Sequence, residues 1–242
     1  MFRKSVLGKM AATLGLVAAA VGLAFASAGN DPAVTSNDAL QKLMDGNKRY
    51  VENQMTSASL NGAATRTSLA KSQKPYAIIL SCSDSRVPPE IVFDKGLGEI
   101  FVVRVAGNIP DPIVLGSIEY AAEHLGSPLV MVLGHERCGA VKATVDSKGK
   151  TTGSANIDAI VKYVGSAIKV AVKDCEVCKG EKKCAESKKD DFVECLVDAN
   201  TRMVAAGLTK KSRILKHLVD EKKLRIVAAK YDLDDGTVSL LK

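Results

Sequence analysis

Two short apolar runs, each breaking at its end into metal-binding residue types, constrain this chain more than any other feature. Tyr76-Ala-Ile-Ile-Leu80 leads into Cys82-Ser-Asp-Ser-Arg86 and then Pro88-Pro89, and Leu129-Val-Met-Val-Leu133 leads into His135-Glu-Arg-Cys138. Uninterrupted runs of this length read as strands buried on both faces. In an extended segment alternate side chains share a side, which groups Cys82, Asp84 and Arg86. Cys82, His135 and Cys138 supply three zinc ligands and leave the fourth position to water. Asp84 beside Arg86 is a carboxylate held in its charged form. These residue types point to a zinc hydrolyase or hydrolase. The competing reading takes Asp84 as a fourth ligand and makes the site closed and structural.

The rest of the chain supports an α/β fold with a central, mainly parallel β-sheet flanked by helices. Leu40, Leu43, Met44, Asn47, Tyr50 and Val51 follow helical spacing, predicting a helix over 38–53 after a flexible lead at 29–37. Residues 57–72 read as a loop with one helical turn. Strands are expected at 76–81, 101–105, 129–133 and 225–229, with Asp234-Asp235-Gly236 as a hairpin turn before Val238–Leu241. Val87-Pro-Pro-Glu90 opens a short helix. Asp111-Pro112 starts another that runs to Leu125 and stops at Gly126. A further helix enters near Cys138-Gly139-Ala140. Ile157, Ile160, Val161, Val164, Ile168 and Val172 mark one long helix, and 191–206 and 210–221 read as two more. Strands alternating with helices imply covered sheet faces and functional groups at strand ends.

Residues 1–28 read as a secretory signal peptide. Arg3, Lys4 and Lys9 precede an apolar stretch at 11–24 that is short for a membrane span, and Ala26-Ser27-Ala28 fits a cleavage site. An exported, periplasmic protein without a stable membrane anchor after cleavage is expected, its folded part lying in 29–242. Loss of those three cations lowers the net charge from +7 to +4. Lysines concentrate in 173–189, and five Tyr, five Phe and no Trp leave no interleaving of basic and aromatic residues, so nucleic-acid binding is not expected.

The chain resembles the β-class carbonic anhydrases. The resemblance is carried by Cys82-Ser-Asp-Ser-Arg-Val-Pro88, Arg104-Val-Ala-Gly-Asn108, Gly116-Ser-Ile-Glu-Tyr120 and Gly134-His-Glu-Arg-Cys-Gly-Ala-Val-Lys-Ala143. It covers about residues 38–172 and resumes at 224–233. It implies one zinc per subunit on Cys82, His135 and Cys138, with Asp84 and Arg86 as a catalytic dyad. The implied reaction is attack of zinc-bound hydroxide on carbon dioxide to give bicarbonate and a proton. In a closed state of some members the residue matching Asp84 becomes a fourth ligand. The Trp that helps build an inhibitory bicarbonate site in certain members is missing, which implies an open site. The resemblance further assigns Gln73, nine residues before Cys82, with Phe101, Tyr120 and Gly139, to the substrate pocket. It implies a homodimer or homotetramer with that pocket at a subunit boundary. Carbonyl sulfide or carbon disulfide hydrolysis on the same fold is the alternative. Two thiolate ligands raise the pKa of the bound water, so alkaline conditions are expected to favour activity. His124 and His217 are proton-carrier candidates by residue type alone.

Cys175, Cys178, Cys184 and Cys195 fall in a Cys- and Lys-rich insert at about 173–195 that the family pattern lacks. In an exported protein two disulfides are expected, with three pairings open. The alternatives are a second, structural zinc or a non-enzymatic metal or redox module. A haem attachment needs His after the second Cys, and Lys179 stands there.

Overall fold

Buried strands form where consecutive apolar residues can face covering layers on both sides, and a computed structural model of the chain realises this at its centre. The structure describes residues 34–179, 184 and 186–242; the expected leader at 1–28 and the first part of the lead lie outside them. Strands β1 (Ala77–Ser81), β2 (Ile100–Arg104), β3 (Leu129–His135), β4 (Arg225–Tyr231) and β5 (Val238–Leu241) form one sheet in the order β2-β1-β3-β4-β5. The first four are mutually parallel and β5 runs antiparallel to β4. The expected mainly parallel sheet is observed, and the β4–β5 turn places Gly236 at φ +81°, a conformation glycine adopts without penalty.

Alternation along β1 and β3 sorts the core. Ala77, Ile79, Leu129, Met131 and Leu133 pack with Leu43 of α1 (Ser36–Val51) and with Val92 of α3 (Pro89–Val92). Ile78, Leu80, Val130 and Val132 point the other way, onto α4 (Pro112–Glu123), α8 (Lys189–Lys211) and α9 (Arg213–Asp220). Every residue of β1 and β3 is buried. At about 25 cal/mol per Å² of apolar surface, burial on both faces is what holds the sheet.

Several boundaries differ from expectation for identifiable reasons. Helix α1 starts at Ser36 because Thr35 and Asp38 form a capping box. Residues 57–72 carry more helix than one turn, a 3₁₀ segment at Ser57–Asn61 and α2 (Ala63–Leu69). The long helix expected across 157–172 is two, α6 (Ala155–Gly165) and α7 (Ile168–Asp174). Gly165 weakens the ladder there, and the Ser166 hydroxyl donates to the Tyr163 carbonyl at 2.6 Å. Conversely, α8 continues through Gly207 and ends at Ser212, whose hydroxyl accepts from Leu215 N–H and caps α9. Helix α5 (Gly139–Ser147) begins directly after Cys138, as expected.

Candidate metal centre

The register of the parallel strands brings the two polar clusters together. Ser81 pairs with Leu133 across β1 and β3, so Cys82 and His135 leave the same edge of the sheet on neighbouring strands. Strand β3 runs through Gly134 to His135, two residues past the expected end. Gly134 is required there because a Cβ would lie 2.2 Å from Thr201 Oγ1 on α8. The close approach of α8 to the strand thus depends on the residue preceding the histidine.

Cys82 Sγ and Cys138 Sγ lie 4.0 Å apart, and both side chains are buried. His135 is fully buried and completes a group whose ligand atoms all lie within 4.8 Å of one another. The Glu136 carbonyl lies 2.8 Å from His135 Nδ1, which selects the tautomer protonated at Nδ1. Nε2 is then a lone pair, buried without a hydrogen-bond partner. A buried orphan acceptor beside two thiols is costly unless a cation satisfies it. Two thiolates held at about 2.3 Å around a tetrahedral zinc lie about 3.8 Å apart, so the observed spacing suits that ion.

The thiols are electrostatically unequal. The hydrogen bond from Cys138, with the Gly107 N–H at 3.4 Å, holds the Cys82 thiol down against the cost of burial. The hydrogen bond to Cys82 and burial push Cys138 far upward. A thiol ligates a divalent cation as the thiolate, so metal binding here is coupled to proton release.

Asp84 is turned toward Arg86. The guanidinium donates to both carboxylate oxygens, Nε to Oδ1 at 2.9 Å and Nη2 to Oδ2 at 2.8 Å, and the Arg86 N–H donates to Oδ1 at 3.0 Å. Those bonds hold the Asp84 carboxyl well below the usual carboxylate range, outweighing desolvation. Asp84 Oδ2 stands 3.9 Å from His135 Nε2, beside the ligand group and outside it. The segment after β1 is not simply extended, because Val87 N–H donates to the Asp84 carbonyl across a turn at Ser85-Arg86.

Of the expected site residues, the structure gathers Cys82, Asp84, Arg86, His135, Cys138 and the exposed Gly139, which begins α5 beside Cys138. It does not bring Gln73, Phe101 or Tyr120 to them within this chain. Gln73 is exposed ahead of β1, and the five residues of that strand separate it from Cys82 by about 16 Å. Phe101 pairs with Ile78, four residues and about 13 Å short of Cys82. Tyr120 is half-exposed on α4, its ring 5.4 Å from that of His124. His124 and His217 are exposed, their Nε2 atoms 3.6 Å from Glu123 Oε2 and 3.3 Å from Glu221 Oε1.

The structure also shows a participant that residue type alone did not mark. Arg104, ending β2, donates from Nε to the Cys82 carbonyl at 3.0 Å and from Nη2 to the Asp84 carbonyl at 2.6 Å. The available signal was that Arg104 opens one of the motifs that carry the resemblance, Arg104-Val-Ala-Gly-Asn108. Three residues on, Gly107 stands at φ +72°, where a Cβ would crowd both Ala140 and Val164 at 3.3 Å.

The insert cysteines are paired as Cys175–Cys195 and Cys178–Cys184. All four thiols are consumed, so the alternative of a second zinc on them is not built.

The family model for carbonic anhydrase matches residues 77–238. A carbonic anhydrase of Mycolicibacterium smegmatis is 38% identical over 203 residues, covering 84% of this chain and 91% of the relative. Among solved structures, the β-carbonic anhydrase CafA of Aspergillus fumigatus superposes with a TM-score of 0.64 at 22% identity, covering 85% of this chain and 91% of that one. A tetrameric β-carbonic anhydrase of Sordaria macrospora gives 0.63 at 18% identity, covering 84% and 97%. At those identities the structural likenesses speak for the fold.

Proposed function

The chain belongs to the β-class carbonic anhydrase family, and we infer from that membership and the geometry at the strand ends that it catalyses the reversible hydration of carbon dioxide to bicarbonate and a proton. The observation that carries this reading is the buried Cys82–His135–Cys138 group with an orphan imidazole nitrogen and an Arg-held carboxylate beside it. One zinc ion per chain would be held by those three residues. When bound, zinc supplies Lewis-acid activation of water as the nucleophile.

The protein's own groups do the rest. His135 keeps its Nε2 lone pair available because Nδ1 is committed to the Glu136 carbonyl. Asp84, ionised by Arg86, offers an acceptor beside Nε2 and can orient a water hydrogen there, aiming an oxygen lone pair at the substrate carbon. Arg86 also keeps Asp84 from becoming a fourth ligand, which favours the open site. Ile109, Val141 and Val164 pack with Cys82 and Cys138 as an apolar surround suited to an uncharged substrate.

Gln73, Phe101 and Tyr120 are proposed to complete the pocket from a second copy of the chain. Two features support that assembly: these residues lie away from their own metal centre, and β2, which carries Phe101, is an edge strand. Exposed Ile113 and Tyr120 on α4 give a partner apolar surface to cover. Residues 1–28 are proposed as an export signal, and two disulfides suit the oxidising periplasm that this implies.

The test is stopped-flow hydration of carbon dioxide beside carbonyl sulfide hydrolysis, both on zinc-replete protein. Hydration far above the buffer rate is expected. Hydration at the buffer rate with rapid sulfide release would replace this reading with the sulfur-substrate one.

A further inference from the structure

The zinc reading leaves a mechanical question about the two-residue link between His135 and Cys138. Arg137 sits in the left-handed region at φ +48°, which a side chain with a Cβ adopts only where its surroundings insist. If that peptide relaxed, the imidazole and the second thiol would no longer aim at one point.

Several bonds hold the link, and three of them differ in kind. Glu136 N–H donates to the Tyr231 carbonyl at 3.1 Å, tying the link to the end of β4. The Arg137 guanidinium pairs with Asp234 at 2.8 and 2.9 Å, but both side chains are largely in solvent, where such pairs contribute little. The third anchor is different. Arg137 N–H donates to Glu194 Oε1 at 2.8 Å, and Glu194 Oε2 lies 2.9 Å from Lys230 Nζ on β4. Lys230 also reaches Asp198 Oδ1 at 3.4 Å, one turn along α8. This carboxylate thus bridges the strained peptide to the sheet, accepting a charge-assisted bond from the Arg137 N–H on one oxygen and ion-pairing on the other with Lys230, whose side chain is largely buried. Its helical turn is fixed in turn, because Val193 and Leu196 are buried and Cys195 is bonded to Cys175 beyond α7.

We propose that Glu194 is a positioning residue for the metal centre, holding the Arg137 peptide so that His135 and Cys138 converge on the ion. The cysteine-rich insert thereby acquires a role at the active site, since its Cys175–Cys195 bond steadies the turn that carries this carboxylate. The proposal rests on the zinc reading of Cys82, His135 and Cys138.

The experiment loads the full chain with cobalt(II) and follows the thiolate-to-cobalt absorption after excess EDTA is added. Glu194→Ala is expected to release cobalt about tenfold faster than the parent and to shift its visible ligand-field bands. Leu208→Ala, a cavity farther along the same helix and away from that turn, is expected to lower thermal stability while leaving the spectrum and release rate unchanged. Glu194→Gln keeps an acceptor for the Arg137 N–H and is expected to restore most of the retention. Glu194→Asp keeps the charge but not the reach, and is expected to release quickly. The last two carry the test if the alanine variant does not fold. Equal release from Glu194→Ala and Leu208→Ala, or from Glu194→Gln and Glu194→Asp, overturns the proposal while leaving the zinc reading intact. A parent protein that shows no thiolate-to-cobalt band overturns the zinc reading and this inference with it.

Discussion

Six cysteines of this chain have two fates within one apolar cluster. Cys82 and Cys138 approach to 4.0 Å and stay free, whereas Cys175, Cys178, Cys184 and Cys195 are cross-linked in two pairs. Burial does not separate them, because Cys82, Cys138, Cys175 and Cys178 are all buried. What differs is what holds the backbone. The free thiols hang from the ends of two buried strands and from the start of α5, with His135 beside them and Arg104 and Glu194 fixing the intervening peptides. The bonded ones lie where α7, two short 3₁₀ turns and α8 meet, off the strand ends. A rigid frame can keep two thiols at ligand spacing, and a local excursion needs covalent closure.

The largest expected effect breaks the first region alone. Cys82→Ser should bring hydration to the buffer rate while mass analysis still shows both disulfides. Next, Asp84→Asn should keep the metal, since it is outside the ligand group, yet lower kcat about 100-fold; cobalt spectroscopy and stopped-flow rates check the two halves of that statement. Acidification distinguishes the regions a third way. The raised Cys138 thiol must lose its proton for the metal to bind, so falling pH favours the proton over the ion. Metal affinity, read by chelator competition, should fall about tenfold per pH unit for that one proton below neutrality, while the disulfides, which have no proton to exchange, remain. The smallest effect lies in the second region. Removing Cys175–Cys195, with a sequence separation of 20, should cost about 3 kcal/mol, and removing Cys178–Cys184, with a separation of 6, about 2. In a chain of this size those losses lower Tm by about 9 and about 6 °C in a thermal melt.

The metal centre was legible in the sequence because its residues close apolar strands, and parallel pairing aligns strand ends with little freedom. Asp111 and Pro112 likewise announced α4, since the cap is a local bond from Val114 N–H to the Asp111 carboxylate. The break between α6 and α7 was hidden by apolar spacing that continues across Ser166, and the helix expected over 191–206 runs on through Gly207 to Lys211. The disulfide pairing could not be read, because it depends on how α7 and α8 lie together. Glu194 was silent for the same reason: its partner Arg137 is 57 residues away, and only the packing of α8 on β3 makes them neighbours.

The most direct test of the account is the carbon dioxide hydration rate of metal-free protein as zinc is added in measured equivalents. The rate should rise in proportion and level off at one zinc per chain, with Cys82→Ser flat throughout. A parent rate that ignores added zinc, or one that levels off only at two, would contradict a single zinc centre on Cys82, His135 and Cys138.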